Sequence, residues 1–291
     1  MDVLTITTQD GRSLTVYDAG DPSGRPVVFH HGTPMSGIPF EPHIADARKR
    51  GIRLVSFDRA GYGDSSRNAN RTVADVAQDV DAIADALGLD RLATWGLSGG
   101  GPHALATAAG LQDRVVAVAA AASVAPPDRP DFELTDGMGE GNIVEFGLAW
   151  QGEEALRPFL ELESAGMEDL DVAGLIDSMR TVLSDLDAAT IDGEFGEHLL
   201  QCFCTGLARG VDGWLDDDLA FVRPWGFELE HINAPTLVIQ GRQDLMVPWS
   251  HGEWLAENVP EAEAWLREDE GHLTLLSRLT PRIYDWLLAC F

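Results

Sequence analysis

Apolar and polar residues alternate from Leu4 to Thr8 and again from Ser13 to Asp18, on either side of Gln9-Asp10-Gly11. A period of two interrupted by a turn predicts an antiparallel hairpin. Beyond the turn Asp21-Pro22-Ser23-Gly24, the apolar run from Pro26 to His30 reads as a buried strand. Strand and helix patterns then take turns: a helix from about Pro42 to Arg50, a strand from Arg53 to Phe57, a loop from Asp58 to Ser66, and Thr72 to Leu87. In that last segment Val73, Val76, Val80, Ile83, Ala84 and Leu87 fall on one helical face, with Thr72 at the N-cap and Gly88 as the stop. Leu92 to Trp95 is a strand, Pro102 to Ala109 a helix, and Val115 to Ala121 another buried strand. Repeated strand-helix units predict an α/β fold, a mostly parallel sheet with right-handed crossovers and helices on both faces.

The rhythm breaks at Pro126-Pro127-Asp128-Arg129-Pro130. From there to about Glu230 the patterns are helical and strongly acidic: Asn142 to Gln151, Glu153 to Leu162, Val172 to Leu186 and Gly196 to Ala208. Strand patterns resume at Thr236 to Gln240 and Ala262 to Leu266, and a helix from Pro281 to Leu288 closes the chain. The expectation is an α/β core in two parts, residues 1–128 and 231–291, with an inserted helical cap domain, 129–230, that carries its own apolar residues. There are no internal repeats and no low-complexity segment.

Composition narrows the partners. A formal charge of -28 on 291 residues repels nucleic acid and anionic membrane, so neither is expected as a partner. No apolar run approaches the length of a membrane span, and Met1-Asp2-Val3-Leu4 lacks the basic and then apolar regions of a secretory signal, so a cytoplasmic location is expected. Cys202, Cys204 and Cys290 are too few for a disulfide framework and lack zinc-site spacing. Oligomeric state is not legible.

The chemistry centres on Gly96-Leu97-Ser98-Gly99-Gly100, a Gly-x-Ser-x-Gly string between a strand pattern and a helix pattern. A sharp strand-to-helix turn strains the middle residue and needs small flanking residues, which Gly96 and Gly100 supply; Ser98 is then exposed, with the Gly99 amide able to donate to an oxyanion. A serine needs a base, and the base needs an orienting group. Asp244 follows the Thr236 to Gln240 strand and His272 follows the Ala262 to Leu266 strand, so both fall where a parallel sheet gathers functional groups. Asp128, beyond the Val115 to Ala121 strand, is a second candidate for the acid, while His103 and His251 compete as the base from helices. Asp269 and Glu270 are close in sequence to His272 and are expected to be solvated. His30 and His31 are adjacent on a strand and point to opposite faces, against a metal site, and Asp58 and Arg59 are expected to brace their loop.

Five motifs in order carry a resemblance: His30-His31-Gly32-Thr33-Pro34, Asp58-Arg59-Ala60-Gly61-Tyr62-Gly63, the Gly96 to Gly100 elbow, Gly241-Arg242-Gln243-Asp244-Leu245-Met246-Val247-Pro248, and Gly271-His272. Over nearly its whole length the chain resembles the α/β-hydrolases of the capped type. The resemblance implies Ser98 as nucleophile, His272 as general base and then acid, Asp244 as orienter, and the amides of Thr33 and Gly99 as the oxyanion hole, with no metal and no cofactor. Serine at the elbow argues against the capped relatives that use aspartate there. Phe146, Trp150, Trp214 and Trp225, with Phe132, Met138 and Phe221, are candidates to line a pocket for a small-molecule substrate. The first reading is a serine hydrolase of small or medium carboxylic esters. A proline iminopeptidase-like aminopeptidase holding a free amine with acids such as Glu145 or Glu153, a non-enzymatic small-molecule receptor, and a lyase or perhydrolase use of the same triad stay open.

Overall fold

The computed structural model describes residues 1–127, 129 and 132–291. Its centre is an eight-stranded sheet in the order β1-β2-β4-β3-β5-β6-β7-β8, formed by β1 (Asp2–Thr7), β2 (Ser13–Gly20), β3 (Arg25–His30), β4 (Ile52–Phe57), β5 (Leu92–Leu97), β6 (Val115–Ala121), β7 (Thr236–Gly241) and β8 (Glu263–Arg267). The hairpin β1–β2 is antiparallel, with Thr5 opposite Thr15, and β2 runs antiparallel to β4. Every later pairing is parallel. Strands β5 and β7 are buried at all six positions, as expected of strands covered on both faces, whereas β1 is largely exposed.

The chain leaves β3 for β4 on one side and returns to place β5 on the other. The order therefore reverses between β3 and β5, and the loops that follow these two strands diverge there and leave a crevice. The loop after β3 carries Thr33 and the turn after β5 carries Ser98, so the topology alone makes these two segments neighbours.

Helices α1 (Glu41–Lys49), α2 (Val76–Leu87) and α3 (Gly100–Gly110) belong to the first half of the core, and α10 (Trp249–Asn258) and α11 (Thr280–Ala289) to the second. Thr72 and Asp75 form a reciprocal capping box before α2, and Gly88 ends it at φ 67°, a left-handed stop that favours glycine. Alternation along the strands sends Val28 and Val55 into the core on one face and Val27 and Leu54 into the core on the other. Each such fully buried aliphatic side chain contributes roughly 1.5–3 kcal/mol.

Between β6 and β7 lies a helical insertion: α4 (Glu140–Ala149), α5 (Glu153–Ser164), α6 (Val172–Ser178), α7 (Asp185–Ala188), α8 (Gly193–Gly206) and α9 (Asp212–Phe221). The helical stretch expected from Val172 to Leu186 is two helices: α6 ends at Ser178, and Ser184, extended and with its hydroxyl accepting from the Asp187 amide, starts α7 as a new helix. The strand-helix patterns do not include α9. Gly213 to Phe221 are all buried, so no period of 3.6 separates a wet face from a dry one.

Candidate active site

The turn after β5 is forced by crowding. A Cβ on Gly96 would collide with the Gly100 carbonyl, and a Cβ on Gly100 would collide with the His30 carbonyl, so neither position tolerates a side chain. Ser98 between them is held at φ 56°, a conformation that costs an L-residue of order 1–3 kcal/mol and marks a position where the surroundings dictate the backbone. The loop after β3 abuts this turn: a Cβ on Gly32 would sit 3.4 Å from the Ser98 Cβ, and one on Gly99 would run into the Thr33 side chain. Among the described residues neither the Thr33 nor the Gly99 amide donates to a protein acceptor, which leaves both free for an oxyanion.

Asp244 follows β7 and is buried. Its Oδ1 accepts from the amides of Met246 and Val247 at 2.9 and 2.8 Å, and its Oδ2 accepts from Gln240 Nε2 at 3.1 Å and lies 2.8 Å from His272 Nδ1. A proton on Nδ1 shared with Asp244 leaves the Nε2 lone pair of His272 available as a base. Burial opposes a charge on this imidazole, but the charge and hydrogen bond of Asp244, together with the charge of Asp187, outweigh it and raise the His272 pKa. The Ser98 hydroxyl has no hydrogen-bond partner among the described residues and lines the central cavity. Two of the three triad candidates are thus joined directly and the third faces open space, an arrangement common where catalytic hydrogen bonds tighten only around substrate.

The competitors fall elsewhere. Asp128 lies outside the described residues. His103 donates from Nδ1 to the Gly99 carbonyl at 2.7 Å, its Nε2 faces Arg71, and burial takes its pKa down to about 3. His251 accepts from the Ala125 amide and donates to the Leu134 carbonyl, with its pKa lowered to about 4 by burial. Both imidazoles are committed at both nitrogens. Asp269 is exposed, but Glu270 is not solvated as expected; it is buried, with its carboxylate 3.5 Å from Arg278.

Behind the oxyanion loop stands a charge cluster that sequence reasoning missed. Asp217 of α9, with its side chain 0% exposed, accepts from Thr33 Oγ1 and Arg59 at 2.6 Å, and from Tyr62 and Arg71 at 2.7 Å. Burial works against its charge, but Arg59 and Arg71 prevail and hold its pKa well below the ordinary carboxylate range. Arg59 also donates to the His31 carbonyl, while the His31 ring bridges the Gly32 carbonyl and the Arg59 amide. Asp58 accepts from the Gly37 amide at 2.7 Å and from Tyr17 at 3.1 Å. Asp58 and Arg59 therefore brace the loop that carries Thr33. His30 turns the other way, to Thr94 and Thr107. Among the described residues no group of three or more His, Cys, Asp or Glu side chains is placed to hold a metal ion.

The cavity in front of Ser98 has a volume of about 170 Å³. Thr33 and Gly99 form its floor beside the serine, and the insertion supplies most of its apolar wall, including Phe146, Trp214 and Phe221. Trp150 and Trp225, expected on this wall, are not on it. Trp150 is 51% exposed at the end of α4, and Trp225 stacks on Phe227 with ring centroids 5.9 Å apart while its carbonyl accepts from the Ala74 amide. Phe132 packs on His251, and Glu153 is exposed against Arg157. Within the cavity two carboxyls meet: Glu145 accepts from Trp214 Nε1 at 2.7 Å, and Asp218 lies beside it. Burial raises both pKa values, and the charge of Glu145 lifts Asp218 further. The one available signal was the run Asp216-Asp217-Asp218 set between Trp214-Leu215 and Leu219-Ala220-Phe221, acids in an otherwise apolar helix.

The comparisons with known proteins bear on the fold and the family. The chain is 32% identical over 262 residues to a non-heme chloroperoxidase of Burkholderia pyrrocinia, covering 84% of this chain and 83% of that one. It is 25% identical over 297 residues to a probable proline iminopeptidase of Leptolyngbya boryana, covering 93% and 89%. Among solved structures, a thermophilic esterase from Thermogutta terrifontis superposes with a TM-score of 0.72 at 23% identity, covering 100% of this chain and 99% of that one. The family model described as alpha/beta hydrolase fold matches residues 25–279, and the chain belongs to that family.

Proposed function

We propose that the protein is a serine hydrolase that cleaves small carboxylic esters through an acyl-enzyme on Ser98. The observation that carries this reading is the buried Asp244–His272 pair, 2.8 Å apart on the loops after β7 and β8, in a fold whose strained Ser98 after β5 opens onto a mostly apolar cavity. His272 takes the Ser98 proton as the hydroxyl attacks the ester carbonyl. The amides of Thr33 and Gly99 receive the negative oxygen, His272 protonates the departing alcohol, and water then releases the acid by the reverse sequence. A cavity of about 170 Å³ is close to the ~150 Å³ that holds a benzene molecule in a dry protein interior. This favours short acyl chains or a single ring. In this reading residues 129–230 form a cap over a core of residues 1–128 and 231–291, and the cap determines selectivity.

One observation favours a second reading, aminopeptidase activity. The Glu145–Asp218 pair gives a substrate ammonium two carboxyl partners inside the cavity. Intact-mass measurement after a fluorophosphonate, with turnover of a para-nitrophenyl acyl series and of prolyl para-nitroanilide, separates the two. A single adduct on Ser98 with ester turnover supports the esterase; anilide turnover promotes the aminopeptidase; a Ser98→Ala variant that still turns over removes both.

A further inference from the structure

The loop that carries His272 is held by a residue from the insertion. Asp187 of α7, 0% exposed, accepts at Oδ2 from the His272 amide at 2.9 Å and at Oδ1 from the Leu273 and Thr274 amides at 2.7 and 3.3 Å. Ser184 Oγ donates to the same carboxylate at 2.8 Å. Three consecutive amides of the base's own loop and one hydroxyl thus converge on one anion, 85 residues away in sequence from His272. Gly271 completes the fit. A Cβ at that position would collide with the Asp187 carboxylate, so the glycine before the histidine is the room that the carboxylate occupies. A fully buried carboxylate is costly unless its bonds return what hydration gave. Here every bond but one is spent on the histidine loop.

We propose that Asp187 is a positioning residue for His272: the insertion delivers a carboxylate that fixes the loop on which the base is carried, so the docked insertion is part of the catalytic apparatus. The proposal rests on the reading of Ser98, His272 and Asp244 as a triad. The three amides set the backbone from which the imidazole projects, and Asp244 then sets the ring at Nδ1. A small displacement of the backbone swings Nε2 relative to Ser98, and a misplacement of 1 Å costs up to about 10²-fold in rate. The charged groups that face the imidazole are Asp244, from the loop after β7, and Asp187, from α7, and both raise its pKa. Asp187 therefore carries a signature that a brace of the fold alone would lack.

The test uses the full-length protein and its Asp187→Asn and Ser184→Ala variants. Asparagine keeps one acceptor and removes the charge; Ser184→Ala removes only the side chain that orients the carboxylate. Histidine Cε1–Hε1 signals are followed by NMR as a function of pH, with His272 assigned from a His272→Gln variant, and para-nitrophenyl acetate turnover is measured on the same samples. Asp187→Asn is expected to lower kcat by about ten- to a hundredfold with little change in KM, and to lower the His272 pKa. Ser184→Ala should lower kcat in the same direction by a few fold, ~2–5. A folded Asp187→Asn protein with the wild-type His272 titration and kcat overturns the proposal. If Asp187→Asn does not fold, Ser184→Ala decides, and an unchanged kcat there overturns it. Ser98→Ala is run alongside: turnover surviving in that variant overturns the triad reading and the proposal with it, whereas a dead Ser98→Ala beside an unaltered Asp187→Asn overturns the proposal alone.

Discussion

Replacing Asp217 by asparagine removes one negative charge from a site where it is 0% exposed and paired with Arg59 and Arg71, themselves 1% and 4% exposed at the side chain. Shape is nearly conserved, so the effect is electrostatic: two guanidiniums stay buried with their shared counter-ion gone. Removing one partner from a buried ion pair typically costs about 3–5 kcal/mol. With an unfolding entropy near 0.6 kcal/mol/K for a chain of this size, Tm should fall by about 5–8 °C, measured by scanning calorimetry. Asparagine keeps an acceptor for Thr33 but exchanges its 2.6 Å bond to an anion for a weaker neutral one, so the loop that carries the proposed oxyanion donor loosens, and kcat should drop by up to about 10²–10³-fold. The Asp217 pKa is depressed, so its contribution to stability is fully present above the unfolded carboxylate value and is lost as pH falls. The gap in stability between wild type and variant should therefore hold at neutral pH and narrow below about pH 4. Adding Arg71→Met removes one stranded charge, and the double variant should be more stable than the sum of the single effects by ~0.5–3 kcal/mol. An Asp217→Asn protein that melts within a degree of wild type and keeps its kcat refutes the argument.

Asp244→Asn leaves the Met246 and Val247 amides an acceptor, so the fold should survive, but the proposed base His272 loses its anionic partner and kcat should fall by about 10⁴-fold. If Asp128→Asn has that effect and Asp244→Asn does not, the acid must be reassigned. For pH, kcat/KM should fall on acidification with an apparent pKa above the ordinary histidine value, because Asp244 and Asp187 outweigh the burial of His272. A profile flat through pH 5 to 8 would count against His272 as the base. Stability runs the opposite way. A raised histidine pKa stabilises the fold below the unfolded value, and that contribution is lost as pH rises through the folded one.

The positions of Ser98, Asp244 and His272 were legible because each rests on short-range features. A glycine-flanked turn between a strand and a helix leaves Ser98 in the left-handed region, and the strand pattern around the apolar run Leu237-Val238-Ile239 fixes where β7 ends and therefore where Asp244 stands. The split at Ser184 was also written locally, as a serine able to cap α7, but the apolar residues on either side obscured it. Trp150 and Trp225 show the limit of composition. An aromatic residue in the right segment says nothing of its direction, and one of these turns to solvent while the other packs beside the capping turn of α2.

The sequence by itself determined the order of the strands and most of the helices, the elbow, and the loops on which the candidate triad sits, since periodicity, turn chemistry and the crowding of glycines act over a few residues; it did not show α9. Tertiary structure alone decided which acids are buried and what they hold. Asp187 reaches the His272 loop across 85 positions and Asp217 reaches Thr33 across 184. In the sequence these are two aspartates among 48 acidic residues. Whether a carboxylate is solvated or ion-paired depends on which donors the packing brings within 3 Å, and no local pattern encodes partners so far along the chain.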